Sequence, residues 1–202
     1  MNAKNSIPFI LASASPRRQE LLSMIGLPFT FIKPKIDESI HDDMNCEENV
    51  IRLAKEKTKA VSAQISYPAV IISADTLVSI DGRILGKPSD VHEAKSMITT
   101  LSGKYHTVLT GLCIQNTANQ KILAGCSTTK VYFKKLSDHT IDSYLQLHDS
   151  LEFAGAYAIQ RMASIFIERI EGDYFTVVGL PLSLLYDYMN QIGFDLLTKK
   201  WN

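Results

Sequence analysis

The sequence predicts an α/β protein, on three observations. Ala69 to Ala74 reads as a continuous apolar run, the pattern of a strand covered on both faces. Val78-Ser79-Ile80 and Arg83-Ile84-Leu85 flank Asp81-Gly82, a dipeptide suited to the positive φ angles of a type I′ hairpin turn. Between such strands lie stretches with helical spacing, such as Val50, Leu53, Ala54 and Val61.

Taken in order, Phe9 to Ala12 predicts a short buried strand. Ser15 as N-cap and Pro16 at the first helical position then open a helix that runs through Leu21 and Leu22 and stops at Gly26. Phe29 to Ile36 reads as a second strand, followed by the polar stretch Asp37 to Asp43. Asn45 and Glu48 form an approximate capping pair for a helix of about sixteen residues. On another face of that helix Glu48, Arg52 and Glu56 make an i, i+4 charge ladder. After the apolar run, with Asp75 at its C-terminal end, and the hairpin come Gly86-Lys87-Pro88 and a helix begun by Ser89 and ended by Gly103. Thr107 to Ile114 and Thr128 to Phe133 read as strands around a polar turn at Asn116 to Gln120, and Ser137 or Asp138 caps a helix through Leu145. Ile165 to Ile170 and Phe175 to Val178 read as a second hairpin about Glu171-Gly172-Asp173, and Pro181 starts a last helix through Met189.

The 202 residues, 46% of them apolar, are ample for one buried interior, and no repeat, linker or low-complexity tract marks a boundary, so residues 1–202 read as a single domain. Twenty-one basic and 21 acidic side chains cancel, so no long-range field favours nucleic acid or an anionic membrane, and a basic site must be local. One lysine ahead of the short apolar run at Ile7 to Ala12 is no signal peptide and no membrane span; a cytoplasmic protein is expected. Cys46, Cys113 and Cys126 lack CxxC spacing and are expected as buried free thiols. His41, His92, His106, His139 and His148 show no metalloprotease spacing and are assigned no chemistry.

Several residues break the pattern. At Ser13 to Arg18, backbone amides at a helix start, hydroxyls and two guanidinium groups converge after a strand, which suits an anionic phosphate chain; a capped surface helix with solvated arginines is the plainer alternative. Lys57 falls on the apolar stripe, either snorkelling past the core edge or aiming a partly desolvated ammonium into a cleft. Asp75, ending a wholly apolar strand, suits either a turn or a carboxylate that binds Mg²⁺ or takes a proton from water. Lys87 and Glu38 lie in loops and carry little weight by themselves.

Together these residues resemble the Maf family of nucleoside triphosphate pyrophosphatases, relatives of the inosine triphosphate pyrophosphatases. The carrying motifs are LASASPRRQELL at 11 to 22, KIDES at 35 to 39, RLAKEKTKA at 52 to 60, ISADTLV at 72 to 78, ILGKPSD at 84 to 90, LSGKYHTVLTGL at 101 to 112, FAGAYAIQ at 153 to 160 and VVGLPL at 177 to 182. The resemblance implies a two-lobed α/β fold around a twisted mixed sheet, with the nucleotide in a cleft between lobes, and a homodimer. It implies hydrolysis between the α and β phosphates to a nucleoside monophosphate and pyrophosphate, with a divalent cation, Mg²⁺ or Mn²⁺. Asp75 would be proton acceptor and metal ligand with Glu38 assisting, Lys57 and Lys87 would contact phosphate or water, and Ser13, Arg17 and Arg18 would hold the triphosphate. Arg17, Thr76 and Tyr157-Ala158-Ile159-Gln160 resemble the dTTP/UTP branch, with clearance of modified pyrimidine nucleotides a further role, rather than the 7-methyl-GTP branch. Arg161 stands where that branch usually has glycine, so a positive φ or a close approach there would alter the loop. Two readings compete with this one: a 7-methyl-GTP or noncanonical purine pyrophosphatase, and a non-catalytic nucleotide-binding regulator of septum formation.

Overall fold

The structure, a computed structural model, describes residues 7–147 and 150–201; Lys4 and His148 lie outside them. The elements, in chain order, are β1 Phe9–Leu11, α1 Pro16–Met24, β2 Thr30–Phe31, α2 Cys46–Ser62, β3 Val70–Ile80, β4 Arg83–Leu85, α3 Val91–Leu101, β5 Tyr105–Asn116, β6 Lys121–Phe133, α4 Asp138–Leu147, β7 Ile167–Glu171, α5 Tyr174–Val178, α6 Leu182–Gln191, β8 Phe194–Asp195 and β9 Lys200–Trp201. Seven strands make one mixed sheet in the order β2-β1-β3-β5-β6-β7, with β4 paired to β3; β8 and β9 form a separate ribbon. The α/β expectation is met. The chain also divides into two compact units, one through Asp75 with 110–127 and Gly179 onward, the other Thr76–Leu109 with Thr128–Val178.

In the first unit β1 pairs in parallel with both β2 and β3. Ile10, Ala12, Val61, Ala69 and Ile71 form a buried apolar cluster, with Ile32 and Ile65 packed against it. Each fully buried Val or Ile contributes about 1.5–3 kcal/mol relative to exposure. The capping pair at α2 is complete: Glu48 N donates to Asn45 Oδ1 and Asn45 N donates to Glu48 Oε2, both at 2.9 Å. Glu48 is thereby drawn from the expected charge ladder, of which Arg52–Glu56 remains at 3.1 Å. Helix α2 runs hard against β5 at Gly111, where a Cβ would fall 2.2 Å from the Val50 carbonyl oxygen. Only glycine permits that approach.

Asp75 does not end its strand. β3 continues through it to Ile80, since Thr76-Leu77-Val78 are good strand formers with no breaker, and the ladder is taken up by β4. The expected Phe29–Ile36 strand shrinks to two residues: after Ile32 N donates to Leu11 O at 3.0 Å, β1 has no further residue to pair, and Pro34 has no N–H to donate. Ser15 occupies the N-cap of α1 but makes no side-chain cap; its own N–H donates to Ser13 Oγ at 3.1 Å.

In the second unit the Asp81-Gly82 hairpin forms as expected, with φ of 50° and 78° and Ile80 opposite Arg83. The N-cap of α3 is Asp90, whose Oδ1 accepts from Glu93 N at 2.8 Å, and Ser89 instead donates to Glu93. The expected hairpin about Glu171-Gly172-Asp173 is absent. β7 pairs antiparallel with β6, Lys130 opposite Glu171, while 174–178 turn into α5 because Asp173 Oδ1 accepts from Phe175 N at 2.9 Å, a side-chain cap that starts a helix. Of the three thiols only Cys113 is buried; Cys46 and Cys126 are partly exposed.

Candidate active site

Two buried hydroxyls seat α2 on β3. Ser73 Oγ donates to the Ala54 carbonyl at 2.6 Å and shares a hydrogen bond of 2.6 Å with Thr58 Oγ1. Ser73 lies inside the run that the sequence reading takes as wholly apolar and Thr58 adjoins Lys57, and their partnership is a long-range fact. Ser73 and Asp75, two apart on a strand, share one face of β3. The seating therefore brings Lys57 opposite Asp75.

Lys57 Nζ donates to Asp75 Oδ1 at 2.5 Å and lies 2.9 Å from Glu38 Oε1. The lysine and aspartate side chains are 6% and 11% exposed, whereas Glu38 is 61% exposed, so an interior ion pair meets a solvent-facing carboxylate at a single ammonium. Of the two sequence readings for Lys57, snorkelling is excluded by that burial. The loop carrying Glu38 is held from α2: Arg52 Nη2 donates to the Ser39 carbonyl at 2.6 Å and to Asn49 Oδ1 at 3.2 Å. Asn49, buried, receives His41 N–H at 2.9 Å and donates to the His41 and Met44 carbonyls.

At the start of α1, Arg18 Nη1 donates to Ser13 Oγ at 3.3 Å and its Nε donates to the Gly179 carbonyl at 2.7 Å. Burial pushes the Arg18 guanidinium down from its ordinary value, and the charges of Asp75 and Glu38 draw it back up, while Arg17 opposes them. Arg17, on the same helix, is half-buried. The first unit thus gathers Ser13, Arg17, Arg18 and Lys57 about the carboxylates of Glu38 and Asp75.

Thr76, Lys87 and Gln160 belong to the second unit. Thr76 follows Asp75 on β3 and projects to the opposite face of the strand. Lys87, 65% exposed, lies 3.7 Å from Glu152. Gly155 N donates to the Gly86 carbonyl at 3.0 Å, which ties the Lys87 loop to the segment leading to Gln160. That segment carries two successive left-handed residues, Gly155 at φ 71° and Ala156 at φ 63°, the second costing about 1–2 kcal/mol for a residue with a Cβ. Arg161 has φ −119°, an extended backbone that any residue adopts, and its guanidinium sits 5.7 Å from the Phe153 ring centroid. The backbone at this position does not require glycine.

His106, one of the five histidines with no chemistry assigned from sequence, also lies in the second unit. Its ring is fully buried and shares a 2.7 Å hydrogen bond with Tyr157, and Phe133 packs edge-on to both rings. Burial pushes the His106 imidazole down to about 4 and raises the Tyr157 hydroxyl, so both are neutral near pH 7.

No group of three or more His, Cys, Asp or Glu is gathered for a metal among the described residues. The donor chemistry nevertheless suits a hard cation, because Mg²⁺ takes one or two carboxylates and completes its shell with water and substrate phosphate. Glu38 and Asp75 converge on one ammonium and supply that number. No helix among the described residues is long and apolar enough to cross a membrane.

Fold and site together define an α/β protein with a buried Lys–Asp pair beside a basic helix start. The chain belongs to the Maf-like protein family, whose description matches residues 8–192. It is 44% identical over 191 residues to the dTTP/UTP pyrophosphatase of Caldicellulosiruptor bescii, covering 93% of this chain and 96% of that one. It is 45% identical over 173 residues to the dTTP/UTP pyrophosphatase of Alkaliphilus oremlandii, covering 86% and 90%. Among solved structures, the nucleoside-triphosphatase / dITP/XTP pyrophosphatase of Mycobacterium abscessus is similar at TM-score 0.41 and 12% identity over 64% of this chain and 76% of that one.

Proposed function

We propose that this protein hydrolyses dTTP and UTP to the nucleoside monophosphate and pyrophosphate. The observation that carries the reading is the Lys57–Asp75 pair, buried and 2.5 Å apart, with Glu38 and the Ser13–Arg18 helix start beside it. Ser13, Arg17, Arg18 and Lys87 neutralise the triphosphate. Asp75 takes a proton from a water whose oxygen bonds to the α-phosphorus, and the bond to the bridging oxygen breaks with its electron pair leaving on pyrophosphate. Lys57 orients Asp75 and offsets its charge. A Mg²⁺ or Mn²⁺ ion held by Glu38 and Asp75 would supply Lewis acidity and charge neutralisation. Thr76 and Gln160 contact the base. The homodimer and a small-molecule rather than nucleic-acid substrate complete the reading, the latter supported by the zero net charge.

The test is a panel of triphosphates, including dTTP, UTP, 7-methyl-GTP and dITP, read by pyrophosphate release with Mg²⁺ or Mn²⁺. Asp75→Asn should lower turnover about 10³-fold while leaving the circular dichroism spectrum unchanged. Turnover of that variant near the wild-type rate removes Asp75 as the base.

A further inference from the structure

We propose that His106 is a positioning residue for Gln160, acting through Tyr157. The inference rests on the reading of Gln160 as a contact for the base. Residues 153–161 carry no strand pairing and only short helical turns, so their conformation depends on side-chain anchors.

Those anchors converge on Tyr157. Its hydroxyl shares a 2.7 Å hydrogen bond with His106 Nε2 on β5, and its ring packs 5.3 Å from the imidazole and 5.0 Å from Phe133, centroid to centroid. Immediately before it, the left-handed Ala156 offers its carbonyl to Tyr144 Oη at 3.2 Å, and Gly155 N–H reaches the Gly86 carbonyl at 3.0 Å. Immediately after it, Ala158 and Ile159 are buried and Gln160 is the first exposed residue, with Arg161 N–H turning back to the Ala158 carbonyl at 3.1 Å. The amide of Gln160 is therefore projected from a three-residue anchor whose polar fastening is the His106–Tyr157 bond.

His106 is more than core filling, because its ring brings a polar cost. Nδ1 is buried with no partner among the described residues, whereas a phenylalanine would fill similar volume without that cost. The imidazole is compensated at Nε2, by the Tyr157 hydroxyl of the base-reading segment.

The experiment measures kcat and KM for UTP and CTP, which differ in the pyrimidine 4-substituent, in four forms: wild type, His106→Phe, Tyr157→Phe and Gln160→Ala. His106→Phe is also combined with Gln160→Ala. His106→Phe keeps the edge-on packing and removes the hydrogen bond; Tyr157→Phe is the milder change, deleting one oxygen. Each is expected to lower the UTP-over-CTP ratio of kcat/KM at least fivefold, through KM with kcat within twofold. His106→Phe should have no further effect on the ratio in the Gln160→Ala background. An unchanged ratio in both His106→Phe and Tyr157→Phe, with Gln160→Ala lowering it, overturns the positioning role. So does an equal His106→Phe effect in both backgrounds. If Gln160→Ala itself leaves the ratio unchanged, the reading of Gln160 fails, and this inference with it.

Discussion

The Lys57 ammonium sits 2.5 Å from the Asp75 carboxylate, held there by hydrogen bonds that neither residue makes. Thr58 and Ser73, each next to or two residues from one member of the pair, join α2 to β3 by a 2.6 Å hydroxyl contact. The same ammonium reaches Glu38 at 2.9 Å. One cation thus stands between two carboxylates.

From that follows the expected behaviour of Lys57→Met, which preserves an unbranched stem and removes the charge. Asp75, 11% exposed, loses the Lys57 cation and stays beside a second carboxylate. Breaking a buried pair from one side costs about 3–5 kcal/mol. Urea denaturation should show a loss of about 3 kcal/mol without divalent metal, with part regained on adding Mg²⁺, since the two carboxylates that shared the Lys57 ammonium would bind it. A Lys57→Met protein as stable as wild type, and indifferent to Mg²⁺, removes the pair as a structural element.

Arg52 governs the other carboxylate. Its guanidinium bonds the Ser39 carbonyl at 2.6 Å and both Glu56 oxygens at 3.1 Å, a fork that the point charge of lysine does not reproduce. Arg52→Lys should loosen the 37–44 loop and with it Glu38. Outer-shell partners of metal ligands change affinity about 10–100-fold. Mg²⁺ titration followed by thermal shift should move its midpoint at least tenfold higher, whereas kcat at saturating Mg²⁺ stays within threefold. An unmoved midpoint shows that Glu38 does not depend on this fork.

Local chemistry made some of this legible and left the rest hidden. Asn45 and Glu48, three apart, satisfy each other's backbone donors wherever the chain goes, so the start of α2 was readable. Asp81-Gly82 was readable for the same reason. Asp75 was seen, but its place within β3 was not, because Thr76 to Ile80 continue the strand with no breaker. The segment after Asp173 has strand-like composition, and a side-chain cap turned it into helix. His106 and Tyr157 lie 51 residues apart, and no periodicity couples such a pair. Lys57 and Asp75 announced themselves as polar breaks in apolar patterns, whereas Glu38 and Lys87 lay in loops and carried weight only through the family resemblance; the groups that position them are legible only as contacts.

The buried imidazole of His106 also makes stability depend on pH, with a sign that can be worked out. Burial pushes it from 6.5 down to about 4 in the folded protein. Between those values the unfolded chain binds the proton and the folded chain does not, so stability falls as pH drops from about 6.5 toward 4 and is fully present above that window. Across pH 7 to 5 this one group should remove about 2 kcal/mol. Asp37, Glu93, Glu171 and Asp195 are all held below the usual carboxylate range by hydrogen bonds, and they also lose stability on acidification, but at the acid end of the scale. Urea denaturation of wild type and His106→Phe at pH 7 and pH 5 separates the contributions. The wild type should lose about 2 kcal/mol more than the variant, because phenylalanine has no proton to gain. Equal losses in the two proteins mean that His106 is protonated in the folded state near its ordinary value, and hence that the cage around it admits water.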